Sequence, residues 1–430
     1  MSAAAFGPRL TYALDAFVAQ LGWTWRPYTP AEERADDGSS LYLAYGRAVS
    51  YGELRRAVLI EPSGLLSQRG VAADYRTRYD WYEGIRCPEG GDPLAAAFYL
   101  LTCYEEWASR EADEHGRVPA ASLSHVREGL ARVPVVDRLW LVLAKALVEA
   151  AGYPRTPVAL LPSPGYSSLD VDSVYALAGK PFASKLRSAL WHVMHGDWRG
   201  LRAVVSALRG GRDPFDTFDY LRELHRAHGL TPYVFVLMGY ATGLDPAWPL
   251  GDERYRGLVA RLSDWVHLGV HPSYESSRRT SLIKSELGAL RAIAGGEVRD
   301  SRQHYLRIAW PVTFRALLAT GVTDDYSLGW PDELGFRAGT ARSFTWYDLD
   351  AERATGLALH PPHVMDVTGR YYLGLSPKQF SRAALEVHEA ARGVGGGLRL
   401  LWHNSNLGPA YGWGPFRSTY EALIACVAEA

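Results

Sequence analysis

The sequence predicts an α/β protein: a (β/α)7-type distorted barrel over residues 160–430, preceded by a small α/β accessory domain over residues 1–155. Three observations predict it. The chain has 430 residues, above the roughly 250–300 at which one hydrophobic core stops growing. From residue 165 onward, short apolar runs alternate with amphipathic stretches, the pattern of βα units around a parallel sheet. A proline-marked break, TyrProArgThrPro followed by ProSerPro, separates that alternation from what precedes it.

In chain order, the first part reads as a helix at 10–21, strand-like runs at 41–45 and 57–60, and helices at 93–107 and 135–151. The last of these carries Val136, Leu139, Leu143 and Leu147 at helical spacing. Beyond the break, strands are expected at 166–169, 232–237, 266–270, 300–303, 326–329, 357–359 and 398–402. Helices are expected between them at 214–228, 253–265, 281–293, 312–319 and 377–392. Such a series of about seven units suits a closed or nearly closed barrel.

Composition narrows the function. Lys plus Arg number 46 and Asp plus Glu 47, so the averaged charge offers no field for a nucleic acid or an anionic membrane. The three cysteines, Cys87, Cys103 and Cys426, are widely separated and lack metal or redox spacing, which points to a reducing, cytoplasmic compartment. Arg9 and Asp15 interrupt any signal-peptide core at the N-terminus. No window reaches the roughly 18 apolar residues needed to span a bilayer. The 14 Trp and 25 Tyr include side chains able to stack on sugar rings, although most are expected in the core.

Chemistry concentrates at the expected strand ends, where parallel βα folds gather their sites. Asp170 and Asp172 close one run, and His271, His304, His360 and His403 each close another. A mixed set of Asp and His is what a catalytic zinc-like ion needs, with about three protein ligands and one open position. In an extended segment the AspValAsp spacing puts both carboxylates on one side, one for a metal and one for a proton. The same motif also occurs in glycosyltransferases, a rival reading. His267 and His271 would lie on one strand face but over ten ångströms apart, so only His271 is expected as a ligand.

SerLeuAspValAspSerValTyrAla, ValHisProSerTyr, SerArgGlnHisTyrLeuArg, GlyPheArgAlaGlyThr, ValMetAspValThr and LeuTrpHisAsn, in that order, resemble the motifs of the polysaccharide deacetylase-like family. This is the NodB-homology group of carbohydrate esterase family four, and the resemblance is to a divergent branch. It covers residues 165–430, including AspProPheAspThrPheAsp at 213–219. TyrGluGluTrp and AspGluHisGlyArgVal, within 104–118, look like the accessory domain of that branch.

The resemblance implies Asp170 as base, Asp172 and His271 as metal ligands, Arg302 as the group orienting the base, and His403 as general acid. The family's second metal histidine, four residues on, is replaced here by Glu275. His304 is the expected substitute, with Glu275 the second choice. A divalent ion, Zn²⁺ first, would activate water for removal of acetyl groups from a polysaccharide or oligosaccharide. A backbone N–H near Tyr305 would help stabilise the oxyanion. Tyr274, Tyr305, Arg337, Trp346 and Asp366 are expected to line the sugar cleft. His360 and His363 read as loop packing, and Asp325 as a group near the site. The first rival, motivated by the missing second histidine, is a silent carbohydrate-binding or assembly protein on the same fold; the glycosyltransferase is the weaker one.

Overall fold

The computed structural model describes residues 6–36, 38, 40–46, 56–72 and 91–429; Cys87 lies outside them. The N-terminal part runs α1 (Pro8–Ala19), α2 (Pro30–Ala35), β1 (Tyr42–Tyr45), β2 (Ala57–Ile60), α3 (Pro93–Leu101), α4 (Tyr104–Ala108), α5 (Ser124–Arg127) and α6 (Val135–Ala150). β1 and β2 pair in parallel. The predicted helix at 93–107 divides because Cys103 adopts a left-handed φ of 49° while Thr102 Oγ1 donates back to the Phe98 carbonyl.

The remainder runs β3 (Tyr166–Val171), α7 (Phe182–Met194), α8 (Trp198–Leu208), α9 (Phe218–Ala227), β4 (Tyr233–Leu237), α10 (Glu253–Leu262), β5 (His267–His271), α11 (Ser281–Ala294), β6 (Asp300–Ser301) and α12 (Val312–Ala319). It ends with β7 (Asp324–Asp325), β8 (Phe344–Asp348), β9 (Arg353–Leu359), β10 (Val364–Met365), α13 (Pro377–Arg392), β11 (Arg399–His403) and α14 (Arg417–Ala428). No helix among the described residues is long and apolar enough to cross a membrane.

These strands form one nine-stranded sheet in the order β10-β11-β3-β4-β5-β6-β7-β9-β8. Every pairing is parallel except β8 with β9. No closed barrel is seen: among the described residues no ladder joins β10 to β8. The antiparallel β8–β9 pair ends the parallel progression. One residue beyond β9, after the His360 N–H has bonded to the Asp325 carbonyl, Pro361 and Pro362 have no N–H with which to extend pairing.

Near the centre of the sheet Trp402, Leu169, Val234 and Leu268 face one another in register across β11, β3, β4 and β5. All six residues of β3 are buried, as a parallel strand covered on both faces requires. This register aligns the strands' carboxyl ends. The predicted strand at 326–329 lies two residues earlier, at β7. Asp325 accepts from the Ser327 N–H (2.9 Å) and Ser327 Oγ, and this local turn takes the chain out of the ladder.

Two large apolar clusters are buried. One lies in the sheet and its covering helices. The other joins α1, α3 and α6 to Tyr347 and Leu349 at the β8 edge. Each fully buried Leu or Phe contributes roughly 1.5–3 kcal/mol. Polar contacts reinforce the seam: Tyr12 donates to the Thr345 carbonyl at 2.7 Å, and Arg337 forks onto Glu106 at 2.8 and 2.6 Å.

Candidate metal centre

β3 delivers Asp170 and then Asp172, β5 delivers His271, and the turn after β6 delivers His304. One ligand atom from each of Asp172, His271 and His304 can lie within 4.8 Å of the others. His271 Nε2 is 3.1 Å from Asp172 Oδ1, and His304 Nε2 is 3.6 Å from Asp172 Oδ2. Each imidazole is aimed through its other nitrogen. His271 Nδ1 donates to the Arg302 carbonyl at 2.5 Å, and His304 Nδ1 meets Asp245 Oδ1 at 2.8 Å. Such outer contacts fix the tautomer and raise ligand basicity.

These residues fit a divalent ion. Both His271 Nε2 and Asp172 Oδ1 are buried without a hydrogen-bond partner, although they face each other. Two imidazoles and one carboxylate form a mixed N/O set with room for a further ligand. Burial alone would lower the His304 pKa, but Asp172 and Asp245 push it up to about 9. Burial would raise that of Asp172, yet His304 and His271 hold it well below the usual carboxylate range. Glu275 is exposed on the short helical turn Tyr274–Ser277 and outside this group. Of the two expected third ligands, the structure brings His304 into the group.

Arg302 is fully buried and donates to Asp170 Oδ1 (2.8 Å), Ser168 Oγ (2.8 Å) and the Tyr326 carbonyl (3.0 Å). Its guanidinium lies 4.3 Å from the Phe235 ring centroid. Asp170 is thereby held with Oδ2 toward the triad, 3.7 Å from His271 Nε2. Asp325 accepts from Ser301 Oγ at 2.6 Å, beside Arg302 in the chain, and burial pushes its carboxyl up to about 6.

His403 approaches from the other side, with Nε2 3.6 Å from Asp172 Oδ2. Its Nδ1 is 2.8 Å from Asp366 Oδ1, while Asp366 Oδ2 accepts from the His403 N–H (3.0 Å) and Asn406 Nδ2 (2.8 Å). Burial would lower the His403 pKa, but Asp366 and Asp172 push it up to about 10.

Three expected cleft residues are corrected. Asp366 is fully buried, and its oxygens are occupied by His403, Asn406 and the Val367 N–H. Arg337 is buried against Glu106, far from solvent. Trp346 is a core side chain in edge contact with Phe314. Tyr274 and Tyr305 do stand beside the triad, with the Tyr305 ring 4.6 Å from that of His304.

Three further histidines weighed from the sequence stand outside this group. His267 stacks on Tyr233. His360 spends its ring nitrogens on Ser343 (2.7 Å) and Asp324 (2.8 Å). His363 is buried against Phe336, and burial with Arg399 holds its pKa well below the ordinary range.

Sequence reasoning missed Asp245, Asn406 and a contribution from the N-terminal part. Asp245 comes from the loop after β4, a stretch with no periodicity to expose it. His115, within AspGluHisGlyArgVal, places Nδ1 3.1 Å from Tyr274 Oη and its ring 4.6 Å from Tyr305. Arg117 donates to the Tyr305 carbonyl (3.0 Å) and Tyr372 Oη (2.9 Å). Tyr305 and Leu306 both have positive φ, 60° and 54°, a conformation costly for side-chain-bearing residues. Arg117 clamps this strained turn immediately after His304. The motif's presence was legible; its destination was not.

A family of unknown function, DUF7033, matches residues 1–151. No curated protein matches the chain. Similar solved structures include a candidate polysaccharide deacetylase from Mycobacterium smegmatis, at 14% identity and a TM-score of 0.40, covering 64% of this chain and 88% of that one. A family 4 carbohydrate esterase from Streptomyces lividans in complex with acetate is 13% identical with a TM-score of 0.28, covering 62% of this chain and 86% of that one.

Proposed function

We propose that the chain is a metal-dependent hydrolase that removes acetyl groups, N-acetyl first, from a polysaccharide or oligosaccharide precursor. One observation carries the proposal: Asp172, His271 and His304 converge with Asp170 on one side and the His403–Asp366 pair on the other. Asp172, His271 and His304 would hold the ion. When bound, a zinc-like ion supplies Lewis acidity toward a carbonyl and lowers the pKa of water.

The chain's own residues supply the proton transfers. Arg302 occupies Asp170 Oδ1 and keeps Oδ2 available to accept the proton of an attacking water. Asp366 favours the imidazolium of His403, whose Nε2 then donates a proton to the leaving amine as the C–N bond breaks. Acetate leaves with the water's oxygen. Tyr274 and Tyr305 offer ring faces to the sugar, and the Tyr305 N–H is a candidate oxyanion donor. Residues 1–155 act as an accessory domain whose 113–117 turn forms part of the cleft wall.

Elemental analysis of the wild type beside Asp172→Ala and His304→Ala tests this, coupled to acetate release from acetylated oligosaccharides. Near-stoichiometric divalent metal, lost in both variants together with acetate release, is expected. A wild type that takes up no metal after reconstitution would overturn the hydrolase and favour a silent carbohydrate-binding protein.

A further inference from the structure

The near-neutral total charge hides a local concentration. Residues 180–212 contain seven Lys or Arg and a single acid, Asp197, within a chain whose net charge is −1. They form α7 and α8, which pack together and follow directly on the β3 end that carries Asp170 and Asp172. Neither helix is among the elements expected from the sequence.

α7 docks on the protein through Ser188 and His192, four residues apart. Ser188 Oγ meets Tyr411 Oη at 2.7 Å, and the His192 ring lies 4.7 Å from that of Tyr411. At about 100° per residue, the opposite face carries Phe182, Leu186, Leu190 and Val193, all exposed. Exposure reaches 75% at Phe182, 73% at Met194 and, at the start of α8, 66% at Trp198. Val204 turns α8 inward, while Leu208 stays exposed.

Cations border this stripe. Lys185 and Arg187 flank Leu186, one residue to either side, and Arg199, Arg202 and Arg209 lie along α8. Arg212 pairs with Asp216 and Asp219; those five have no ion-pair partner among the described residues. A continuous apolar stripe facing water, edged by unpaired cations and holding a Trp at one end, is the composition of a helix that lies in a membrane interface.

We propose that α7–α8 is a docking surface for an anionic phospholipid bilayer. The stripe from Phe182 to Trp198 would enter the headgroup–acyl boundary while the Lys and Arg side chains engage acidic headgroups. A second copy fits less well, because each face brings those five cations without an ion-pair partner against the other. The inference is independent of the hydrolase reading.

The test is flotation of the full chain with phosphatidylcholine vesicles and with vesicles containing roughly one-third phosphatidylglycerol. Two variants accompany it: Phe182→Ser/Leu186→Ser/Leu190→Ser and Arg187→Glu/Arg199→Glu/Arg202→Glu. The wild type is expected to float with the anionic vesicles, less as salt rises, and each variant to bind at least about tenfold less with an unchanged thermal transition. Failure of the wild type to float at low salt would overturn the proposal, as would equal binding by wild type and both variants. A dimer in sedimentation that the serine variant splits would assign the face to self-association instead.

Discussion

His304 and Asp245 form a buried pair, Nδ1 to Oδ1 at 2.8 Å, that joins the loop after β4 to the turn after β6. Asp245 also accepts from the Tyr274 N–H at 2.8 Å, so one carboxylate orients both a candidate ligand and the turn that carries Tyr274. Asp245→Asn is expected to weaken metal binding by about 10–100-fold without unfolding the chain. Titration against a chromophoric chelator checks this, and unchanged affinity would remove Asp245 from the site.

Asp366→Asn is expected to lower kcat by about 10²–10⁴-fold while leaving metal content intact, because it disturbs the proton donor and none of the three ligands. Metal analysis and initial rates on the same preparation separate the two effects. Metal loss on this substitution would assign Asp366 to holding the centre together instead.

His115 tests whether the N-terminal part belongs to the cleft. Its ring touches Tyr305 and its Nδ1 meets Tyr274 Oη, but it touches no ligand atom of the triad. His115→Ala is expected to raise KM severalfold with kcat and metal content nearly unchanged. A fall confined to kcat would contradict that placement.

Arg337 separates structure from substrate binding. Arg337→Ala leaves the Glu106 carboxylate buried without its fork, and losing one partner of such a pair costs about 3–5 kcal/mol. The thermal midpoint should fall steeply while any KM measured on the surviving folded protein stays put. A raised KM with unchanged stability would return Arg337 to the cleft.

Acid should destabilise the fold through His225. Burial lowers its pKa to about 4, and its ring bonds to Leu221 O (2.7 Å) and Ser167 Oγ (2.9 Å). The unfolded chain takes up that proton near pH 6.5 and the folded chain resists, so stability present above about 6.5 is lost as pH falls toward 4. Between pH 7 and 5 the loss is about 2 kcal/mol. Denaturant midpoints across that range should fall less steeply in His225→Asn, and an identical slope would exclude His225 as the cause.

The βα alternation was legible because apolar periodicity is a local property of the chain. It gave β3, β4, β5 and β11 to within a residue or two at their starts, and α12 and α13 fully. Two-residue strands such as β6 and β10 carry too little periodicity to be bounded this way. α7 and α8 lie outside the elements expected from the sequence.

The sequence by itself determined which residue types stand at the strand ends, and therefore that Asp170, Asp172, His271, His304 and His403 were the groups to weigh. Only the tertiary structure set His304 rather than Glu275 beside Asp172 and His271, turned Asp366 from an expected cleft residue into the buried partner of His403, withdrew Arg337 and Trp346 into the interior, and brought His115 and Arg117 against Tyr305. The division has a physical cause. Strand order and burial fix which side chains share a cavity, and hydrogen bonds between residues over a hundred positions apart, such as Arg302 to Asp170 or Arg117 to Tyr305, leave no local pattern in the chain.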